Sequence, residues 1–414
     1  MKKLGFSLIL NVLIKFLAVG VGFFTTRWLL NNLSVGEYES YNLIVAYNQI
    51  ILQFIDFGIP TLIQKYYTNE KDLEKLKTVW ATFNGFRMGL YFLALLIILI
   101  TYPLSQTQDL ALILGLFTAQ FIIFADTNYR SVCNSYGHSW QFSLSDFAGK
   151  ALLLGFLSIG LYFNQFNSNI WLFVGASILA YTIGYIIDFI WQKKYTGWAK
   201  FDFGIIKENY KKILFLALST IVISVYLTTD RLYLKFFGWP ALDINGYSNA
   251  YKVFEIFTII PSLTIPQIAS FLKKQFESHT NPKILTIKYL TYSLFLGFFC
   301  TIFLLFFGNV ILGLIDTQGK YPAAGQALQI LSFAFIPMIP MLLASQITIF
   351  LGGEKYELIS VSIVAVIVTM LYLLLIPTFG IVGASVATLA TYSVDLVIKL
   401  YFLSKQIKAS ELVS

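Results

Sequence analysis

Five cations stand out because they fall inside apolar runs rather than between them: Lys15, Arg87, Lys150, Arg231 and Lys252. An ionisable group at bilayer depth is costly, so it usually faces a cavity or a partner. Four of them, all but Lys150, lie on a stripe along one helical face, because residues three or four apart share a face. Asn11, Lys15, Ala18 and Gly22 form one such stripe; Asn84, Arg87 and Tyr91 form a second. Thr220, Ser224, Thr228 and Arg231 make a third, and Asn245, Asn249 and Lys252 a fourth. The second apolar run of the chain carries Asn42, Gln49, Gln53 and Asp56. Guanidinium and ammonium groups suit phosphate, Arg as a planar fork and Lys as a point charge. The five cations with Asn11 and Asn249 are therefore candidate substrate-binding residues. Asp56, Pro60, Asp230, Glu255 and Pro266 are candidate gating or coupling residues.

Each site also has a plainer reading. Lys252 can pair with Glu255, Arg231 with Asp230, and Lys150 with Asp146 four residues before it. Asp126 and Arg130 have the spacing of a structural pair. Asp188 and Asp395 sit deep enough to be structural partners or proton carriers. Lys15 and Arg87 have no acid three or four residues away, which favours a functional role for both. Arg27 and Lys235 lie near run ends and can snorkel to the surface.

The runs that carry these groups define the class. Of 414 residues, 57% are hydrophobic and 12% charged, against about 25% charged in ordinary soluble domains. Such a chain cannot cover itself with polar surface, so a soluble enzyme is excluded as the leading class. With 39 Phe and 25 Tyr, disorder is excluded as well. A helix needs about 20 mostly apolar residues to span a bilayer. Twelve runs qualify: 5–30, 39–62, 79–102, 109–130, 141–163, 169–191, 213–237, 246–271, 288–314, 322–351, 358–376 and 381–403. The basic, apolar N-terminus lacks a cleavage site and reads as a retained first span.

Orientation follows from the connections. Of 29 Lys and Arg, 21 fall in segments on one side of the twelve-span arrangement, against Lys320 alone on the other. The positive side is cytoplasmic, which puts both termini inside. The same placement explains the net charge of +8 without nucleic acid. Cys133 and Cys300 are isolated, and His138 and His279 lie in separate loops, so no metal site or cofactor is expected. No nucleotide-binding loop, GxSxG, HExxH or paired-carboxylate signature is present, so no enzymatic activity is expected.

An internal repeat divides the chain. TTRWLL at 25–30 precedes Tyr41 and Pro60; TTDRLYL at 228–234 precedes Tyr247 and Pro266. Tyr to Pro is 19 residues in both. The expected fold is all-α: two six-helix bundles, 1–192 and 213–414, around a central cavity, joined by a basic linker at 193–212. Halves with an even number of spans enter the membrane alike, and are related by an axis along its normal.

The chain resembles the Wzx-type polysaccharide flippases of the polysaccharide transporter family, within the superfamily that also holds the multidrug extrusion antiporters. The resemblance is carried by LLNNLSVGEYESYNL, DFGIPTLIQKYY, TTDRLYLKFFG, GYSNAYKVFEIFTIIPSLTIPQIA and FGIVGASVATLATYS. It implies movement of an undecaprenyl-diphosphate-linked oligosaccharide across the inner membrane, by bundles that rock between inward-open and outward-open states. The implied partners are the polyprenyl-diphosphate-linked glycan, membrane lipid, a coupling cation and other polysaccharide-assembly proteins. The competing class is an ion-coupled exporter of a small soluble compound, of the multidrug-antiporter type. A membrane-embedded polymerase or ligase is disfavoured, because no outer loop is long enough for its chemistry.

Overall fold

In lipid, every backbone N–H and C=O must find its partner within the chain, which leaves helices as the simplest spanning element for apolar runs of this length. The computed structural model is helical accordingly. It describes the whole chain except residues 1, 61, 64–66, 68–71, 103–108, 137, 164–168, 198, 260, 262–264, 266–267, 269–271, 273–281 and 412–414. The described helices are α1 (Lys2–Asn32), α2 (Val35–Asp56), α3 (Leu73–Thr101), α4 (Leu110–Ser135), α5 (Ser139–Phe163), α6 (Asn169–Gln192), α7 (Phe203–Phe236), α8 (Ala241–Phe257), α9 (Pro282–Ile315), α10 (Ala324–Phe333), α11 (Phe335–Phe350) and α12 (Glu354–Glu411).

Eight of the described helices are long and apolar enough to cross a membrane, and the pair α10 and α11, bent by 47° at one residue, makes a ninth span. At α9's side of that bend, the Thr301 hydroxyl donates to the Ser332 carbonyl at 2.8 Å. Helix α12 is too long for a single span. Its 58 residues would run about 87 Å at 1.5 Å per residue, against a bilayer core of about 30 Å. It breaks at Gly380, where φ is 54° and ψ −126°. Pro377 removes a backbone donor just before the break, and the Trp239 indole N–H donates to the Ile376 carbonyl at 3.1 Å. The Trp239 ring lies 2.6 Å from where a Cβ at position 380 would sit, so only glycine fits. The arms 354–379 and 381–411 are the last two expected spans. α2 and α8 fall short by composition and length, at 22 and 17 residues, and occupy the places of the second and eighth.

The outward faces confirm the solvent. Phe92, Ile100, Phe295, Phe306, Leu374 and Val397 are all more than half exposed. A water-soluble monomer does not tolerate apolar surface on this scale. The protein is a polytopic membrane protein.

The chain forms two compact units, Met1–Ile221 and Val222–Ser414. In the first, α5 packs on α1 and α6, α4 packs on α6, and α2 packs on α3 and α4. In the second, α8 packs on α9 and α10, α9 on α10 and α11, and α12 on α10 and α11. The stretch 193–212, read from its lysines as a linker, is helical from Phe203 onward and opens α7. The reason is packing: Ile206, Ile213 and Leu216 bury against Ile59, Leu62, Leu76, Val79, Trp80 and Phe83. Their spacing is that of one helical face, with Lys207 and Lys211 on the other. The first unit therefore reaches Ile221, beyond the expected boundary at 192.

A second difference concerns Pro60. The spacing suggested a helix running to that proline. Instead α2 ends at Asp56, where Phe57 (φ 47°) and Gly58 (φ 66°) take left-handed conformations. At the other end of α2, Ser34 and Glu37 form a capping box: the Ser34 hydroxyl accepts from the Glu37 N–H, and the Glu37 carboxylate from the Ser34 N–H. That box satisfies two orphan donors and fixes the tight turn from α1.

Candidate functional site

In the first unit, α1, α4, α5 and α6 bring together the densest set of ionisable side chains. Lys15 on α1 donates to the Asp146 carboxylate on α5 at 2.9 Å, although 131 residues separate them. Lys150, one turn beyond Asp146 on α5, reaches the same carboxylate at 3.1 Å. The three side chains keep 14%, 19% and 28% of their exposure for Lys15, Asp146 and Lys150, so the group is partly open. Below it, Lys15 and Arg130 both lie over the Phe142 ring, at 5.2 and 5.8 Å from its centroid. A ring face beneath a cation supplies attraction without a formal charge. Asn11 accepts a hydrogen bond from Ser143, which ties α1 to α5 one turn before Lys15.

Two further carboxyls adjoin this group. Ser145 donates to Asp188 on α6, and the Asp126 side chain of α4 is a close neighbour of Asp188. Asp126 and Arg130 thus do not form the structural pair their spacing suggested. Asp126 turns to Asp188, while Arg130 faces Asp146 and Phe142.

Arg87 is different in kind. It is 1% exposed and is the largest fully buried side chain among the described residues. Its guanidinium donates to Asp56 at 3.2 Å, Asn128 at 2.9 Å and Thr127 at 3.2 Å. Asn128 in turn donates to Asn84 at 2.9 Å. Arg87 therefore joins α2, α3 and α4. A group this enclosed presents no open face to a ligand, although its Nε lacks a hydrogen-bond partner. Lys15 and Arg87 looked partnerless only because their acids come from other helices, which sequence spacing does not reveal.

The second unit holds two separate sets. Near the start of the repeat, the Arg231 guanidinium lies 4.8 Å from the Tyr251 ring centroid. Asp230 accepts from the Tyr247 hydroxyl at 2.5 Å and from the Arg231 backbone N–H at 2.7 Å. Tyr247 is fully buried and Tyr41, its counterpart in the repeat, only half so. Lys252 is half-buried and Glu255 exposed on α8, while Asn249 on the same helix is buried. Pro266 lies outside the described residues.

Of the other set only Asp395 was anticipated, as a deep structural partner or proton carrier; Glu357 and Lys399 were not. Lys399, assigned by its sequence position to a cytoplasmic connection, lies within α12 and is 4% exposed. Its ammonium sits 2.7 Å from Glu357 and 3.3 Å from Asp395, whose side chains keep 4% and 1% exposure. Ser360 donates to Asp395 at 2.9 Å. The 395/399 spacing was the available signal, a carboxylate one turn before a cation. No cluster of three or more metal-ligating side chains occurs among the described residues.

No protein-family model and no curated protein matches the chain in sequence. Solved structures do match in fold. An inward-facing multidrug resistance MATE family transporter of the MOP superfamily superposes with TM-score 0.76 at 13% identity, covering 98% of this chain and 99% of its own. An outward-facing structure of a multidrug resistance MATE family transporter gives 0.74 at 14% identity, covering 99% and 97%. A MOP superfamily transporter from Pyrococcus furiosus, described as having a binding pocket of reversed polarity that suggests a different function, gives 0.72 at 12% identity over 98% and 96%. Over its whole length the chain has the fold of these MATE family transporters.

Proposed function

We propose that the chain is an alternating-access transporter that exports small soluble organic compounds in exchange for an ion, in the manner of the multidrug antiporters. The observation that carries this reading is the likeness, end to end, to MATE transporters in both an inward-facing and an outward-facing state. A fold compatible with both states is what alternating access requires. The charges fit the same reading. Arg87, one of the cations that could have held a phosphate, is bound up with Asp56. The partly open carboxylate of Asp146, beside Asp126 and Asp188, is the place where an ion can be exchanged for a lysine contact. The transporter works in the plasma membrane with both termini cytoplasmic, as the lysine asymmetry indicates.

The test is transport by the purified chain in proteoliposomes loaded with a fluorescent organic cation. Imposed proton or sodium gradients should drive flux. Flux that ignores both gradients would overturn the reading.

One observation favours the flippase reading. Two lysines sharing one carboxylate leave a positive charge on a partly exposed surface, with Arg130 adjoining it. That surplus suits the diphosphate of a polyprenyl-linked glycan. Restored surface glycan in a flippase-deficient strain, without gradient-driven dye flux, would establish this reading in place of the first.

A further inference from the structure

Away from the charged sets, the second unit carries a recess at the junction of α8, α9 and α10. Its volume is about 180 Å³, far above the roughly 10–15 Å³ that one water needs by the same measure. Its polar lining comes from Asn249, Asn309, Asp316 and Tyr321, with Gly313 and Gly325 leaving backbone open between them. No Lys or Arg lines it. On the lysine-derived topology this end of α9 faces outward.

The lining selects among ligands by chemistry. An anion would meet Asp316 and no cation. A bare cation would be held by converging oxygens at about 2.3–2.6 Å, which a space this large does not enforce. A neutral molecule with several hydroxyls meets both needs. A carboxamide gives two donors and an acceptor at one position, and a carboxylate oxygen accepts without demanding charge. Asp316 is rigidly placed for this: its two oxygens accept the Lys320 and Tyr321 backbone N–H groups at 3.1 and 2.9 Å. Each oxygen retains a further lone pair. The first turn of α10 adds the Gly325 N–H, because the N-cap Ala323 has no polar side chain to accept it, while the Ala324 N–H already donates to the Tyr321 carbonyl.

We propose that this recess is a binding site for a sugar ring or similar neutral polyol on the outer face of the second unit. The site is independent of what the protein transports, so it stands or falls separately from the function proposed above.

The experiment is equilibrium binding to the purified full-length protein, by saturation-transfer NMR in detergent. The probes are free N-acetylglucosamine, galactose and glycerol, with inorganic phosphate, sodium and calcium as comparators. Saturable sugar binding is expected, without phosphate binding. Asn309 is exposed, so Asn309→Ala should fold and weaken sugar binding at least tenfold. A Cβ at Gly313 meets nothing within 4 Å, so Gly313→Leu should fill the recess and abolish binding with folding intact. Absence of saturable sugar binding would overturn the proposal. So would binding unchanged in both variants, or occupancy by sodium, calcium or phosphate in place of sugar.

Discussion

The Lys15–Asp146–Lys150 set of the first unit and the Glu357–Asp395–Lys399 set of the second invert one another. The first places two cations on one carboxylate; the second places two carboxylates on one cation. The first keeps 14–28% exposure, the second no more than 4%. Burial decides what each can do. An enclosed ion set cannot lose a partner cheaply, since water cannot replace it. A partly open set can exchange a partner for water, an ion or a substrate at small cost. The same kinds of residue are thus enclosed in one unit and open to exchange in the other.

The comparison can be broken by removing charges one at a time. The largest effect is expected from Lys399→Met, which leaves Glu357 and Asp395 buried without a cation. A loss of about 3–5 kcal/mol is the usual cost of such an uncompensated charge. It should show as a sharp fall in folded yield and melting temperature in detergent. Adding Glu357→Gln and Asp395→Asn should recover most of that loss; failure to recover would mean that Lys399 does more than match charge.

Arg87→Met should cost nearly as much, because Asp56 loses its guanidinium partner and Asn128 and Thr127 lose a donor. Asp56→Asn in the same protein should offset part of the loss. A double-mutant cycle on melting temperatures measures the coupling, and purely additive effects would argue against the pair.

The contrast between these residues and the open set also marks what was legible in the sequence. Twelve apolar runs and their order could be read directly, because the bilayer imposes length and polarity on every span. The Asp146–Lys150 contact was legible too, since both lie one turn apart on α5. Arg87–Asp56 and Lys15–Asp146 were not, because they depend on which helices pack together. The end of α2 at Asp56 was hidden for another reason: Phe57 in a left-handed conformation carries no sequence signature, whereas Pro60 does. Lys399 was misplaced because a lysine at the end of an apolar run reads as a boundary until an acid buried on another part of α12 claims it.

Asp146→Asn should change stability by about 1 kcal/mol or less, as expected for a partly exposed pair. Melting curves check this; a loss as large as that of Lys399→Met would remove the distinction between the two sets. The smallest effect is expected at Pro60. Because the break in α2 is set at Phe57 and Gly58, Pro60→Ala should leave melting temperature within the range of about 0.5 kcal/mol typical of neutral substitutions. A strong loss of transport there would restore the proline to a gating role.

The central claim is that the partly open set of the first unit couples transport while the enclosed set of the second does not. It is tested by gradient-driven flux in proteoliposomes, normalised to folded protein. The two proteins compared are Asp146→Asn and the neutral triple variant Glu357→Gln, Asp395→Asn, Lys399→Met. Flux should fall at least tenfold in the first and stay within about twofold of the parent in the second. Flux retained by Asp146→Asn and lost by the triple variant would contradict the account.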